Sequence, residues 1–114
     1  MDKNNKSVFI VSEWLPKQGY EQDVFEIFQE LASLVLRKEK GCLQYHVRRQ
    51  IPHPGSPGVS RYKIMLIQEY ENIEAFDIHC AAPYVADYFE KYVNKPKTAT
   101  IEEWRCRLFS TENF

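Results

Sequence analysis

His79 is the side chain in this sequence that is best suited to proton transfer near neutral pH. A neutral imidazole can accept or donate a proton there, which is what general acid–base catalysis requires. Asn72 can cap a short helix that runs to His79, and Pro83 disfavours helical geometry at the residue before it. We therefore predict that His79 is a catalytic residue near an interrupted helix end. The alternative is a helix-end histidine that only hydrogen-bonds a backbone carbonyl.

Aromatic residues, which make up 14% of the chain, could form a cavity beside this histidine. Most aromatic side chains pack in the core, and the helical spacing of Tyr88, Phe89 and Tyr92 fits that explanation. Buried tyrosine hydroxyls nevertheless need hydrogen-bond partners. A cavity with aromatic walls, one or two phenols and a histidine would suit a flat, hydroxylated organic ligand. The aromatic candidates include Trp14, Tyr45, Tyr62, Tyr70, Phe76, Tyr84, Tyr88 and Phe89.

Sequence signals for other kinds of chemistry are missing. No Asp, Glu or His spacing matches a metal site, no glycine-rich loop follows a strand, and no serine lies in a GxSxG motif. We therefore predict no metal and no nucleotide or flavin cofactor. Cys80 adjoins His79, but neighbouring helical residues point about 100° apart, so a Cys–His pair is not expected. Glu69, Glu71 and Glu74 are expected to be solvated.

Composition and length indicate one domain without a charged partner. The 114 residues carry 15 basic and 16 acidic side chains, so the formal net charge of −1 predicts binding to neither nucleic acid nor an anionic membrane. No apolar run is long enough to span a bilayer or to form a signal peptide. Three cysteines without CxxC spacing favour a reducing compartment. We expect one cytoplasmic domain over residues 1–114, with its core at about residues 8–109.

Hydrophobic periodicity predicts the element order β-α-β-β-α-β. This order is that of the ferredoxin-like α+β fold, in which a four-stranded antiparallel sheet carries both helices on one face. In the second strand, Leu43, Tyr45 and Val47 are expected to share one face. The predicted strands are Val8–Trp14, Cys42–Gln50, Arg61–Tyr70 and Thr98–Phe109, the predicted helical segments are Tyr20–Lys38, Asn72–His79 and Pro83–Val93, and Ile51–Ser60 is a long irregular loop.

The helix-free face of such a sheet predicts a homodimer. The run Ile64–Ile67 is apolar on both faces of the third strand, and the run Val8–Val11 is apolar on both faces of the first strand. Without a partner, both runs would expose apolar side chains to water on the helix-free face. Each large apolar side chain left in water forfeits roughly 1.5–3 kcal/mol of burial. Because a two-layer monomer cannot cover both faces of its sheet, we predict that the open face packs against that of a second copy.

Three features of the sequence resemble the antibiotic biosynthesis monooxygenase family, whose members are small dimeric α+β-barrel proteins. The first is Glu39–Tyr45, which is similar to the family's acid-x-Gly-Cys-x-x-Tyr turn into the second strand. The second is Tyr70, nine residues before His79, and the third is the run Glu74–Pro83 around that histidine. The resemblance extends from Val8 to about Phe109.

This resemblance implies a cofactor-free oxygenase that acts on a small phenol, quinol or polyketide-like molecule. A base removes a phenolic proton, the electron-rich anion passes an electron to O₂, and a dry aromatic pocket keeps the intermediates from water. His79 would be that base or the hydrogen-bond partner of the phenolate. The side chains expected to contact the substrate are Trp14, Tyr45, Gln68, Tyr70, Phe76 and Tyr84.

Two departures from the family pattern leave other functions open. Gln68 stands where many members have a glutamate, and Tyr84 where many have a histidine after the proline. A tyrosine normally titrates near ~10 and glutamine does not titrate, so both changes remove a group available for acid–base work. The alternatives are an isomerase or degrading enzyme for a small signalling metabolite, and a ligand-binding dimer without catalysis. Haem degradation is not expected, because the Asn, Trp and His set of haem-degrading relatives is not matched.

Overall fold

The fold is a four-stranded antiparallel sheet with its helices packed on one face. This computed structural model describes residues 6–111. The sheet order is β2-β3-β1-β4, and all neighbouring strands pair antiparallel. The predicted ferredoxin-like α+β class is confirmed. The strands are β1 (Val8–Pro16), β2 (Cys42–Arg49), β3 (Ile64–Tyr70) and β4 (Ile101–Ser110), and the helices are α1 (Glu21–Lys38), α2 (Ile73–Ala81) and α3 (Pro83–Phe89), followed by a π-helical turn at Glu90–Asn94.

The first helix, α1, covers the sheet with one apolar stripe. Val24, Phe28, Ala32 and Val35 recur every three or four residues along the helix, and all four are buried. The helix ends after Lys38, as predicted, and the backbone of the next residue, Glu39, is already extended. The N–H of Glu39 still donates to the carbonyl oxygen of Val35 over 2.8 Å. This bond holds the backbone of Glu39 at the end of α1.

Two local signals divide the second helix of the fold into α2 and α3. Asn72 Oδ1 accepts a hydrogen bond from the N–H of Ala75 over 2.8 Å, as an N-cap residue does. Ala82 is extended, with φ −64° and ψ 132°, because the ring of Pro83 crowds the helical region at the preceding residue. Pro83 then begins α3, where a backbone N–H is not needed. His79 lies in the last turn of α2, and the interruption follows shortly after it at Ala82, as predicted.

A β-bulge at the start of β2 changes which of its side chains face the helices. The register with β3 shifts between Cys42 and Gln44. Cys42 and Tyr45 are consequently both buried although they are three positions apart, whereas Leu43 is 51% exposed. The predicted alternation is therefore correct for Tyr45 and Val47, which are buried, and wrong for Leu43.

Element ends differ from prediction at the strands beside the irregular segments. β3 begins at Ile64 rather than Arg61, and β4 at Ile101 rather than Thr98. β1 continues through Pro16, which pairs with Ile101 across a register shift. A proline lacks the N–H for a regular ladder, so this pairing is possible only at such an irregularity near the strand end.

The two faces of the sheet differ in burial. Along β1 and β3 every second residue is buried beneath the helices, and the residues between them, on the helix-free face, are only half-buried. Val11 and Ile67 are cross-strand partners near the middle of this face. The half-buried apolar residues of the two strands are Phe9, Val11, Leu15, Met65 and Ile67. An apolar strip therefore crosses the face that carries no helix.

Candidate functional site

A cavity of about 140 Å³ lies between the helices and the inner face of the sheet. It reaches the protein surface beside Trp104, Cys80 and Cys106, which are exposed. Its walls are mostly apolar, as in small-molecule sites. The lining residues are aromatic (Trp14, Phe28, Tyr45, Phe76, Tyr88, Phe89 and Trp104), aliphatic (Ile10, Leu31, Leu66 and Val85) and polar or sulfur-containing (Ser12, Gln68, His79, Cys80 and Cys106).

The residues predicted to form the site are divided between the cavity wall and the layer behind it. Tyr70 is fully buried, and its hydroxyl donates to Gln68 Oε1 over 2.6 Å. The hydroxyl of Tyr84 donates to the carboxylate of Glu39. These two tyrosines lie outside the wall and bind residues that surround the cavity or contact its histidine. The predicted residues that line the cavity are Trp14, Tyr45, Gln68, Phe76 and His79.

His79 is bound by a carboxylate. Its Nδ1 lies 3.0 and 3.1 Å from the two carboxylate oxygens of Glu39, and the two side chains are 8% and 10% exposed. Because a carboxylate only accepts hydrogen bonds, Nδ1 carries the hydrogen, and in the neutral ring Nε2 is then the free acceptor. This nitrogen has no hydrogen-bond partner within residues 6–111. His79 is therefore not the carbonyl-bound helix-end histidine of the simpler alternative.

Close packing between the residues after α1 and helix α2 brings this pair together. A Cβ atom at Gly41 would lie 2.6 Å from the Cβ atom of Ala75, so only a glycine permits the observed approach. The N–H of Glu71 also donates to the carbonyl oxygen of Gly41 over 2.8 Å. Ala75 and His79 are four residues apart and share one side of α2. The contact at Gly41 thus places Glu39 beside His79.

Glu39 is a polar site residue that was not predicted from the sequence, and the wall residues Ser12, Phe28, Trp104 and Cys106 were not predicted either. Glu39 belongs to the acid-x-Gly-Cys segment that carried the family resemblance, but its contact with His79 joins residues 40 positions apart. The available signal was an acidic side chain two residues before a glycine at a helix end. That signal indicates a turn, and only tertiary packing shows which side chain the carboxylate binds.

Four polar groups on the cavity wall have no hydrogen-bond partner within residues 6–111: Nε2 of Gln68, Nε2 of His79 and the hydroxyls of Tyr45 and Tyr88. Each of these residues is less than a tenth exposed. Burial raises the pKa of both tyrosine hydroxyls, so they keep their protons at neutral pH and can donate. Thr100 Oγ1 is the fully buried side-chain nitrogen or oxygen atom of the described residues that lacks a partner, so each of the four groups keeps some accessible surface. They are therefore available to a polar ligand.

The structure gives less support for a cysteine nucleophile or a metal site at the cavity. Cys80 and Cys106 reach the surface, but their thiols are partly enclosed by the protein, and this partial desolvation raises the pKa of both. Neither is therefore a ready thiolate nucleophile. Within residues 6–111 no three His, Cys, Asp or Glu side chains are grouped as a metal site would require. Over the same range no helix has the length and apolar character needed to cross a bilayer.

Comparison with known proteins assigns the family. The sequence profile of the antibiotic biosynthesis monooxygenase family matches residues 7–91. The chain belongs to this family. The match includes Glu39, Gln68 and His79, together with the segment that joins α2 to α3. No curated protein sequence matches the chain.

Solved structures show the same fold as this family member at low sequence identity. A protein of Shewanella oneidensis is 21% identical and has a TM-score of 0.72 over 95% of this chain and 93% of its own. A Caulobacter crescentus protein, provisionally assigned as an antibiotic biosynthesis monooxygenase, is 14% identical, with a TM-score of 0.74 over 96% and 93%. A dimeric protein of unknown function from Bacteroides fragilis, with a ferredoxin-like fold, is 15% identical, with a TM-score of 0.69 over 91% and 95%.

Proposed function

We propose that this family member is a cofactor-independent monooxygenase of a small phenol or quinol, with His79 as the base. The observation that carries the proposal is the pairing of Glu39 with His79 Nδ1, which leaves Nε2 as the acceptor at an aromatic cavity. A positioned histidine whose second nitrogen is oriented by a carboxylate is a common arrangement for general base catalysis.

The proposed reaction begins with proton transfer from the phenolic hydroxyl to Nε2 of His79. The Glu39 carboxylate stabilises the resulting imidazolium through the hydrogen bond to Nδ1. The phenolate then passes an electron to O₂, and the two radicals combine at a ring carbon that carries hydrogen to form a peroxide. The imidazolium of His79 returns its proton to this peroxide anion, and loss of water then leaves one oxygen atom on the ring as a carbonyl. Four electrons leave the phenol and reduce O₂, so no further reductant is needed.

The walls of the cavity suit these intermediates. Trp14 packs edge-on against Phe28 at a centroid distance of 4.9 Å and stacks on Trp104 at 4.8 Å and 9°. Phe76 stacks on the imidazole of His79 at 6.1 Å and 22°. Aromatic walls exclude water from the peroxide and the phenoxyl radical, which limits side reactions.

Oxygen uptake with a panel of hydroquinones and catechols tests the proposal. The wild-type protein should consume O₂ and give a product that contains one added oxygen atom, and His79→Ala should lose this activity. His53→Ala is the matched control, because His53 is exposed on the irregular loop and is not among the residues that line the cavity. Ligand binding without oxygen uptake would instead indicate a non-catalytic binding dimer, and a product with the mass of its substrate would indicate an isomerase.

We also propose that the helix-free face of the sheet is the interface of a homodimer. The half-buried pair Val11 and Ile67 supports this proposal, as does the dimeric state of the Bacteroides fragilis protein with the same fold. Ile67→Glu should dissociate the dimer in analytical ultracentrifugation. Leu36→Glu, at a 47% exposed position of α1, should leave it intact. A wild-type protein that sediments as a monomer at micromolar concentration would contradict the proposal.

We place this activity in the cytoplasm. Cys42, Cys80 and Cys106 are all free thiols in the structure, which is typical of proteins from reducing compartments. Fractionation of cells that express the natural protein tests this location, and recovery outside the cytoplasm would contradict it.

A further inference from the structure

The volume of the cavity limits the size of its ligand. An engineered apolar cavity of about 150 Å³ in another protein accommodates benzene, and the cavity described above measures about 140 Å³. One six-membered ring is therefore the size that fits wholly inside. A second fused ring would have to extend through the opening at the protein surface or displace Trp14 or Phe28, which pack against each other and are 3% and 1% exposed.

Gln68 fixes the polarity of one wall of the cavity. The hydroxyl of Tyr70 donates to Oε1 of Gln68 over 2.6 Å, and Tyr70 is fully buried. Burial raises the pKa of this tyrosine, so its hydroxyl keeps the proton that it donates. The carbonyl end of the Gln68 amide is thereby bound from behind. The end of Gln68 that has no partner in the described part of the chain is the Nε2 amide, which only donates.

Tyr45 adds a second donor beside Gln68. The two residues are direct cross-strand partners in β2 and β3, so their side chains leave the same face of the sheet as neighbours. Both are less than a tenth exposed and line the cavity, and neither the Tyr45 hydroxyl nor Gln68 Nε2 has a protein partner in the described part of the chain. Two adjacent donors on one wall match the two lone pairs of a single carbonyl or phenolate oxygen.

We propose that the cavity selects a single-ring phenol or quinone, and that one ligand oxygen accepts hydrogen bonds from Gln68 Nε2 and the Tyr45 hydroxyl. The choice of phenols and quinones rests on the proposed monooxygenase function, but the donor pair and the size limit concern binding alone. Gln68 and Tyr45 are thus specificity residues, because the Gln68 amide is a donor at a position where a carboxylate would repel a phenolate.

Calorimetric titration without oxygen tests this proposal, because no turnover is required. Phenol and toluene form a matched pair, since they differ only in the group that would accept the hydrogen bonds. Gln68→Met should weaken phenol binding about 2- to 10-fold and leave toluene binding unchanged or tighter, as expected for the loss of one hydrogen bond. Tyr45→Phe should show the same pattern, and it keeps the test valid if the Gln68 variant does not fold.

Ring size is tested with hydroquinone, naphthohydroquinone and anthrahydroquinone. Hydroquinone should bind most tightly, although the larger ligands bury more apolar surface and would bind better in an open groove. Equal losses of phenol and toluene affinity in both variants, or naphthohydroquinone binding as tight as that of hydroquinone, would overturn the proposal. If instead the binding pattern holds and no ligand supports oxygen uptake, the monooxygenase proposal fails and the specificity proposal stands.

Discussion

Replacing Glu39 with glutamine tests whether the carboxylate sets the tautomer of His79. In the native protein Glu39 accepts hydrogen bonds from His79 Nδ1, at 3.0 and 3.1 Å, and from the hydroxyl of Tyr84. Glutamine keeps the size of the side chain but offers one oxygen to these two donors and adds an N–H₂ group. If Tyr84 retains the oxygen, the amide nitrogen faces Nδ1, which must then accept. The ring hydrogen moves to Nε2, and the cavity loses its base.

The expected effect on rate is much larger than that on stability. General acid–base catalysis contributes about 10²–10⁴-fold, and in Ser-His-Asp enzymes the equivalent Asp-to-Asn change costs about 10⁴-fold through the wrong tautomer. We expect Glu39→Gln to lower kcat about 10²–10⁴-fold. A hydrogen bond to a charged acceptor contributes about 1.5–3 kcal/mol to folding. Part of that loss is offset, because a carboxylate that is 10% exposed no longer has to be desolvated.

Three measurements separate the catalytic effect from a structural one. Oxygen uptake gives kcat, nitrogen NMR of the imidazole ring gives the tautomer, and denaturant unfolding gives the free energy of unfolding. Glu74→Gln makes the same isosteric change at an exposed position in the first turn of α2. It should leave kcat and the tautomer unchanged and lower the free energy of unfolding by only about 0.3–1 kcal/mol, because its charge favours the helix N-terminus. The reasoning would be refuted if Glu39→Gln kept the native kcat, or if the wild-type ring already carried its hydrogen on Nε2.

Three further predictions concern the residues that support the site. Gly41→Ala should destabilise the fold by about 1–3 kcal/mol through the clash with Ala75, and Ala75→Gly should recover part of that loss; equal losses in both backgrounds would contradict the contact. Burial raises the pKa of Cys42 from 9.0 to about 11, so the unfolded thiol ionises first and stability falls as pH rises between these values. At pH 11 the free energy of unfolding should have fallen by about 2 kcal/mol more in the wild type than in Cys42→Ser, and parallel pH profiles would exclude this linkage. Asn72→Ala should cost about 1 kcal/mol in denaturant unfolding, whereas Asn72→Asp, which keeps the capping acceptor, should remain near the wild-type value.

Those parts of the fold that depend on local sequence were predictable. The stripe Val24, Phe28, Ala32 and Val35 has the period of a helix, and Pro83 interrupts the second helix through a restriction on its immediate neighbour. Leu43 was misplaced because the bulge in β2 depends on how that strand pairs with β3. Strand alternation read from one segment alone cannot show where a partner strand accommodates an extra residue.

The site was less predictable than the fold, because it depends on which side chains cover one another. Gln68 and Tyr70 are two positions apart in β3 and share the inner face of the sheet, so strand alternation treats them alike. Only Gln68 lines the cavity, since the rings of Phe76 and His79 each lie 5.3 Å from the Tyr70 ring and cover it. Glu39 was missed for a related reason, because its contact with His79 exists only after the segment that follows α1 has packed against α2.

The structure changes what the glutamine at position 68 implies for activity. From the sequence, its place in a position where many relatives have glutamate weakened the argument for catalysis. In the folded protein a carboxylate is already present at Glu39, behind the imidazole of His79, where it can stabilise the charge that the base acquires. The proposed reaction also creates a negative charge on the phenol, and hydrogen-bond donors, rather than a second carboxylate, stabilise that charge. Gln68 and Tyr45 provide donors on the cavity wall, so the two departures at positions 68 and 84 are compatible with an acid–base site built around His79.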